Sequence, residues 1–195
     1  MKRRIFMRSA LSFGVIALGA GSVQAAPVRY ELDKVNSAVG FTYYLDDAGT
    51  QGTMPVQSAD LQLDLRDVSR SRIDVTLNPG RAKAGLFFAT EALKGAEVLD
   101  VRRHPQIRFV ARKITGTIHK ATVTGDLTVR GVTKPVSLQA QLFRQVGTEQ
   151  GDLSKLSVLL TGSLDRRVFG ASGYPNLVGP TIDLRILARV DRAAG

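Results

Sequence analysis

The amino-acid sequence predicts an all-β protein: a closed antiparallel barrel or a sandwich of about eight short strands, with one short helical insertion. Three observations lead to this prediction. Apolar and polar residues alternate in repeated segments, turns rich in glycine or polar residues separate these segments, and one stretch has helical spacing instead. Because no linker, low-complexity block or long-period repeat interrupts residues 26–195, we expect them to form a single domain.

The clearest strand pair is the hairpin at residues 123–138, which reads VTGDLTVRGVTKPVSL. Its first half alternates apolar with polar residues, and the alternation resumes at Val136 after a turn predicted at residues 131–135. Such period-two patterning predicts two antiparallel strands that share one apolar face. Similar alternation predicts further strands at 28–32, 38–45, 61–65, 73–77, 107–111, 114–118, 156–164 and 182–190.

The helical insertion is predicted between Phe88 and Val101, where apolar residues recur at helical spacing. Gly95 should shorten or break this helix. We expect the segment to end before His104 and Pro105, because the residue preceding a proline disfavours helical backbone. A helix that joins two runs of strands would suit a lid over the mouth of a barrel.

The first 25 residues have the pattern of a signal peptide. Lys2, Arg3, Arg4 and Arg8 precede an apolar run at 10–20, and Val23-Gln24-Ala25 has the small-x-small pattern of a cleavage site. Residues 3–8 also resemble the twin-arginine consensus, although Lys2 replaces its usual Ser or Thr, so the general export pathway stays an alternative. We therefore expect an exported protein whose mature domain spans residues 26–195.

Charge and cysteine content exclude several kinds of partner. Cleavage would remove four basic residues and lower the net charge from +10 to +6, and the remaining charges of both signs are interspersed. No basic tract suited to phosphate neutralisation remains, so we do not expect nucleic-acid binding, whereas weak attraction to an anionic membrane surface is reasonable. The chain has no cysteine, which excludes disulfides and thiol chemistry.

Small residues on the predicted apolar faces bear on whether the interior is filled. A barrel of about eight strands can be filled by side chains or hold one small ligand. Small residues could leave an apolar cavity, or they could relieve strain where strands bend, and the sequence favours neither interpretation. The residues concerned are Gly40, Gly125, Ala140, Gly162 and Ala188.

Several segments resemble the YceI-like family over most of residues 26–195. The hairpin at 123–138 resembles the family signature G-x-L-T-x-x-G-V-T-K-P-V, and residues 30–33, 36–41 and 178–186 resemble its first and last strands. Residues 167–170, RVFG, resemble its R-x-x-F-G or R-S-x-F-G element. The resemblance implies a lipocalin-like closed barrel in the bacterial periplasm that binds long polyisoprenoid or related amphiphilic lipids. A link to membrane b-type cytochromes and quinones is also implied.

The chain departs from the family at polar positions, which marks it as a divergent member. Asn36 replaces the histidine of the D-x-x-H-S pattern, Leu45 replaces a second histidine, and residues 89–93 read ATEAL where the family has R-D-x-H-L. If those groups hold a lipid head group, this chain should prefer a less polar head, bind more weakly, or bind another molecule. If they are structural hydrogen-bond partners, apolar packing replaces them. We interpret the chain as a divergent branch that retains the cavity.

No residue constellation indicates an enzyme. His104 precedes a proline at the end of the predicted helical segment and His119 lies in a predicted turn, and neither has a visible partner, so we predict no metal site. Ser163-Leu164-Asp165 is not a nucleophile arrangement, and the paired carboxylates of Asp46 and Asp47 suit an exposed turn. No glycine-rich phosphate loop joins a strand to a helix. We expect no catalytic residues and no cofactor other than a bound isoprenoid or quinone-like lipid.

Strand parity predicts which side chains face the interior. Arg167 and Phe169 share a face if their segment is extended, which would place Arg167 either at the cavity rim or among the surface charges. The predicted cavity lining is Phe41, Tyr43, Phe109, Leu127, Leu138, Leu160, Phe169 and Leu184.

The leading functional hypothesis is a periplasmic protein that sequesters or carries a long apolar lipid, with the segment from Phe88 to Leu99 gating access. The alternative is a non-catalytic accessory protein with a filled core that docks on a membrane surface or on a membrane cytochrome or other redox partner. A homodimer stays open under either hypothesis.

Overall fold

The computed structural model describes residues 26–194, so the predicted signal peptide, residues 1–25, lies outside the described residues. Within them the chain forms ten strands, one α-helix and three short 3₁₀ turns. The helix α1 is Phe87–Lys94, and the 3₁₀ turns are Val68–Arg70, Pro79–Arg81 and Arg166–Phe169. The strands are β1 (Val28–Leu32), β2 (Ala38–Leu45), β3 (Ala48–Met54), β4 (Val56–Leu63), β5 (Arg72–Leu77), β6 (Ile107–Thr117), β7 (Lys120–Val129), β8 (Val132–Arg144), β9 (Lys155–Asp165) and β10 (Thr181–Arg192).

The strands close into a barrel. Eight of them follow one another in the order β1-β4-β5-β6-β7-β8-β9-β10, and β10 pairs with β1 to complete the ring. The described pairings are antiparallel, which confirms the predicted fold class. The β2–β3 hairpin continues the sheet at one end, because β10 pairs with β1 through Val190–Arg192 and with β2 through Asp183–Leu187.

The hairpin predicted at 123–138 is formed by β7 and β8, but its turn is tighter than predicted. The turn consists of Arg130 and Gly131, with φ angles of 51° and 74°. Two successive left-handed residues match the twist of paired strands, which favours a two-residue hairpin. The turn predicted at 131–135 is therefore wrong: β8 begins at Val132 and accommodates Pro135 opposite Asp126.

The helical insertion is present but shorter than predicted. Helix α1 ends at Lys94, and Gly95 adopts an extended conformation. Beyond it the chain continues in turns, and the guanidinium of Arg130 donates hydrogen bonds to the carbonyl oxygens of Ala96 and Val98 at 2.6 and 2.8 Å. An interaction with the β7–β8 turn therefore takes up carbonyl groups that a longer helix would have used internally.

The core is distributed along the barrel axis. The largest cluster of buried apolar side chains lies beneath α1 and includes Phe41 and Phe169. Two smaller clusters, around Leu156 and around Val123, occupy the opposite end. Within residues 26–194, no helical segment has the length and hydropathy that a bilayer crossing requires.

Candidate ligand cavity

The barrel encloses a cavity of about 450 Å³. Side chains from all ten strands and from α1 contribute to its wall, and nearly all of them are apolar. The volume lies within the range of about 300–1,000 Å³ that is typical of small-molecule sites. An apolar wall offers water few hydrogen-bond partners, so a cavity of this kind suits an apolar guest.

The predicted cavity residues lie in this wall. Seven of them lie on strands, where alternation places them on the inner face because successive side chains of a strand point to opposite faces of the sheet; the eighth, Phe169, lies in a 3₁₀ turn. A contact between these side chains and a ligand stays a prediction. The side chains that line the cavity include Phe41, Tyr43, Phe109, Leu127, Leu138, Leu160, Phe169 and Leu184.

The small residues on the strands serve different purposes. Ala140 and Ala188 line the cavity and help to create its space. Gly125 adds no space to the cavity. A Cβ at this position would lie 2.6 Å from the Phe109 ring, which covers the glycine. Gly162 is covered in the same way by Leu138. Gly40 lies on the outer face, because the neighbouring inward residues of β2 are Val39 and Phe41, so the inward placement expected for Gly40 is wrong.

The cavity opens between α1 and the segment of residues 171–179, which we call the strap. Phe88 on α1 and Tyr174 and Leu177 on the strap line the cavity and are also exposed, at 67%, 43% and 48%. Side chains that are both exposed and part of the wall mark this opening; exposed wall residues, Thr117 and Gln141, also lie at the other end of the barrel. The position of α1 suits the predicted lid, and gating by α1 stays a prediction.

Residues 166–169, which precede the strap, do not have the extended conformation under which Arg167 and Phe169 would share a face. The segment Arg166–Phe169 is a 3₁₀ turn, not an extended strand. Because 3₁₀ geometry has three residues per turn, side chains three apart share a face. Arg166 and Phe169 therefore point inward, with exposed fractions of 6% and 2%, whereas Arg167 is exposed.

Arg167 is thus a surface residue and not a rim residue of the cavity. Its side chain is absent from the cavity wall and forms an ion pair with Asp165, with Nη2 2.6 Å from Oδ2. Arg166, by contrast, lines the cavity. The sequence analysis missed Arg166, although the sequence contains a signal for it. In the R-x-x-F-G pattern the arginine stands three residues before the phenylalanine, and the residue three before Phe169 is Arg166.

Arg166 is held by backbone carbonyl groups of the strap. Its Nε donates to the carbonyl oxygen of Gly179 at 2.9 Å and its Nη2 to that of Val178 at 2.7 Å. Its Nη1 donates to the carbonyl oxygens of Ala171 and Gly173 at 2.5 and 2.8 Å. Burial lowers the pKa of this guanidinium, since removal from water disfavours the charged form, and the negative charge of the nearby Asp165 carboxylate opposes part of that effect.

The Asp165–Arg167 pair makes a testable contribution to acid stability. Hydrogen bonds from the Arg167 side chain, and then from its backbone N–H, lower the pKa of Asp165 from 3.8 to about 2. A lowered folded-state pKa stabilises the fold above pH 3.8, and this contribution disappears as the pH falls towards about 2. We expect the wild type to lose more unfolding free energy than Asp165→Asn between pH 5 and pH 2.5. The effect should be small because the pair is exposed.

Urea unfolding of both proteins at the two pH values measures this difference. The remaining carboxylates are present in both proteins, so their contributions to the pH dependence cancel when the two proteins are compared. Equal losses in the two proteins would contradict the assignment of a lowered pKa to Asp165.

The positions where the chain departs from the family pattern fall mainly on the cavity wall. Leu45, Ala89 and Ala92 line the cavity. Asn36 lies instead in the exposed turn after β1, where its Nδ2 donates to the Asp33 carboxylate at 2.6 Å. Three positions where the resemblance implies histidine or arginine are therefore apolar groups that face the interior.

Two buried polar groups at the cavity wall, Tyr43 and Asp64, are engaged with the protein. The hydroxyl of Tyr43 donates to the carbonyl oxygen of Ala84 at 2.7 Å. Asp64, at the end opposite α1, accepts hydrogen bonds from the N–H groups of Arg66 and Asp67, both at 3.0 Å. Among residues 26–194, no buried side-chain nitrogen or oxygen lacks a partner, and no group of three His, Cys, Asp or Glu residues could hold a metal ion.

A closed antiparallel barrel with an apolar cavity beneath a short helix places the protein in the class of small β-barrels whose interior has room for one small ligand. A family model, the YceI-like domain, matches residues 30–190. The chain belongs to the YceI-like family. A similar curated protein, the UPF0312 protein of Pseudomonas putida (strain GB-1), is 30% identical over 182 residues, which cover 91% of this chain and 93% of that protein.

Solved structures share the fold. BcnA of Burkholderia cenocepacia is similar with a TM-score of 0.71 and 17% identity, covering 82% of this chain and 99% of its own. A polyisoprenoid binding domain from Saccharophagus degradans is similar with a TM-score of 0.65 and 9% identity, covering 85% of this chain and 99% of its own. At these identities the likeness concerns the fold alone.

Proposed function

We propose that this protein binds a long apolar lipid, of the isoprenoid or quinone-like kind, inside the barrel, and sequesters or carries it without catalysis. The observation that carries the proposal is the cavity itself: about 450 Å³ of apolar space with an opening beside α1. The similarity of the fold to a domain described as polyisoprenoid binding supports the choice of ligand.

The energetics favour a long hydrocarbon chain. Burial of one methylene group contributes about 0.8 kcal/mol, so ten groups contribute roughly 8 kcal/mol. Association itself costs about 4–15 kcal/mol in lost freedom of motion. A short chain would therefore bind weakly, whereas a chain that continues along the barrel can reach micromolar affinity or better without a strong polar anchor.

The composition of the wall supports a ligand whose buried part is hydrocarbon. Leu45, Ala89 and Ala92 offer no hydrogen bond, and the hydroxyl of Tyr43 is taken by Ala84. A polar head group buried at these positions would lose its water without gaining a partner. We infer that the head group is of low polarity or remains at the opening of the cavity.

The alternative function, a docking protein with a filled core, receives less support. It requires an interior without ligand space, whereas the described barrel encloses a cavity. Exposed aromatic residues beside the opening, Phe87 at 84% and Phe88 at 67%, do suit contact with a membrane surface. We include such contact in the proposal as the step at which lipid is exchanged.

We also propose that the protein acts in the periplasm after cleavage behind Ala25. The basic and apolar pattern of residues 2–25 supports export. Under this proposal, the ligand would be taken up or delivered at the surface of a membrane that faces this compartment.

Mass spectrometry of the full-length gene product, recovered from the exported fraction, tests both proposals. The denatured protein should have the mass of a chain that begins at Ala26. Under native conditions we expect a stoichiometric additional mass that extracts into organic solvent as a long apolar molecule. A ligand-free native mass, together with no uptake of offered isoprenoid lipids, would contradict the binding proposal, and an uncleaved mass would contradict export.

A further inference from the structure

We infer that Arg166 is a positioning residue: its guanidinium holds the strap, residues 171–179, against the barrel, and the strap thereby controls how fast a bound lipid leaves the cavity. Control of lipid release, the second part of the inference, rests on the proposed lipid-binding function. Anchoring of the strap, the first part, depends only on the hydrogen bonds that Arg166 forms in the structure.

The strap is an irregular segment in a position that requires hydrogen-bond partners. It forms part of the cavity wall through residues that include Ala171, Tyr174 and Val178. Outside a bridge at Val178, it has no strand ladder to satisfy its carbonyl groups. An irregular segment with partly buried backbone is stable only if other donors replace such a ladder.

Arg166 supplies most of those donors from one point. Four of its N–H groups reach four carbonyl oxygens, those of Ala171 and Gly173 at the start of the strap and those of Val178 and Gly179 at its end. The planar fork of a guanidinium suits such simultaneous contacts, whereas the ammonium of lysine has three donors on one atom. Both ends of the strap are thus held by the same side chain.

Among the described residues, a few further backbone contacts join the strap to other elements. The N–H of Ala171 donates to the carbonyl oxygen of Arg166 at 3.2 Å, the N–H of Asp46 donates to that of Leu177 at 3.4 Å, and the two shortest contacts lie at the strap ends. The N–H of Gly173 donates to the carbonyl oxygen of Glu97 at 2.9 Å, and the N–H of Gly179 donates to that of Tyr44 at 2.9 Å. Without the Arg166 side chain, the part around Tyr174 would keep its local turn, in which the N–H groups of Leu177 and Val178 donate to the Tyr174 carbonyl oxygen, but the strap would lose four of the hydrogen bonds that tie its ends to the barrel. Because Tyr174 and Leu177 border the opening, a loosened strap would widen it.

The neighbouring arginine provides a matched control. Arg167 carries the same charge one residue away but points to solvent and pairs with Asp165. Arg166→Lys and Arg167→Lys therefore make the same chemical change, and only the first removes the fork from the strap. We compare them with the wild type by hydrogen exchange of backbone amides and by the release rate of a fluorescent long-chain lipid probe into acceptor vesicles of phosphatidylcholine.

In the wild type without lipid, the amides of Gly173 and Gly179 should exchange slowly, unlike the exposed amides of Gly147 and Gly151. Arg166→Lys should speed exchange at Gly173 and Gly179 by at least about tenfold, and leave exchange in the β7–β8 hairpin unchanged. Arg167→Lys should change neither. With the probe bound, Arg166→Lys should speed release by at least about tenfold, because a removed group of charge-assisted hydrogen bonds has effects of this order.

Several results would overturn the inference. Fast exchange in the strap of the wild type would show that Arg166 does not hold it, and this measurement requires no variant. Equal acceleration in the strap and the β7–β8 hairpin of Arg166→Lys would show a general effect on stability. A loosened strap with an unchanged release rate would refute control of release. If the wild type takes up no probe, the proposed function fails, while the exchange data still decide whether Arg166 anchors the strap.

Discussion

Replacement of Ala140 by phenylalanine should lower the affinity for a long-chain lipid by at least about 100-fold while the barrel stays folded. Ala140 lies on β8, is 9% exposed and lines the cavity. A phenyl ring there would occupy space that several methylene groups of a ligand would fill, at about 0.8 kcal/mol each. A loss of roughly 3 kcal/mol corresponds to a factor of about 100 in affinity.

Gln139→Phe is the matched control for this substitution. Gln139 precedes Ala140 on β8 but faces outward and is exposed, so the same ring would lie in solvent. Lipid titration followed by fluorescence, together with urea unfolding, separates affinity from stability. Unchanged binding by a folded Ala140→Phe variant would contradict the assignment of the cavity as the lipid site. Equal losses in both variants would point to a site on the barrel surface.

Replacement of Gly125 by alanine should lower the free energy of unfolding by about 3 kcal/mol. Gly125 lies on β7 opposite Ala111 of β6. An added Cβ would stand 2.4 Å from the carbonyl oxygen of Val110 and 2.6 Å from the Phe109 ring. The ring could turn away, but the carbonyl belongs to the paired strand and cannot move without disturbing it, so overpacking of this kind costs roughly 1–3 kcal/mol or more.

Gly49→Ala tests whether the loss comes from the close contact and not from any glycine replacement in a strand. At Gly49 on β3, an added Cβ would meet its nearest atom, the Thr42 methyl group, at 3.3 Å. This contact requires a shift of only a few tenths of an ångström, and alanine reduces the freedom of the unfolded chain, so the change should be near zero. Unfolding in urea measures both variants. Equal effects would refute the explanation from the Phe109 ring and the Val110 carbonyl.

Several features of the protein follow from local sequence patterns. The alternation in residues 123–138 predicts two strands with one apolar face, and β7 and β8 have it. The same parity predicts that residues such as Phe41, Leu127 and Leu184 face the interior, and they do line the cavity. These predictions succeed because a strand of period two determines the face of each residue without reference to distant parts of the chain.

Other features depended on contacts between distant segments. The end of α1 at Gly95 is a local feature, but the sequence could not reveal that the carbonyl groups of Ala96 and Val98 accept hydrogen bonds from Arg130, which is 34 residues away from Ala96. The sequence alone could not reveal that Gly125 lies under the Phe109 ring, since the register between β6 and β7 decides which side chain covers which glycine. Apolar small residues look alike in the sequence whether they are covered or open to a cavity.

Arg166 and Arg167 show most directly which features follow from the sequence and which from the tertiary structure. The sequence by itself determined the all-β class, the inward face of most strands and the resemblance to a family of lipid-binding barrels. The tertiary structure decided which arginine is buried, because the segment turns with a period of three and because the carbonyl groups that bind Arg166 come from the returning strap. It also decided that the barrel holds a cavity, since the volume left inside depends on how all the inward side chains pack together, and no local pattern records that sum.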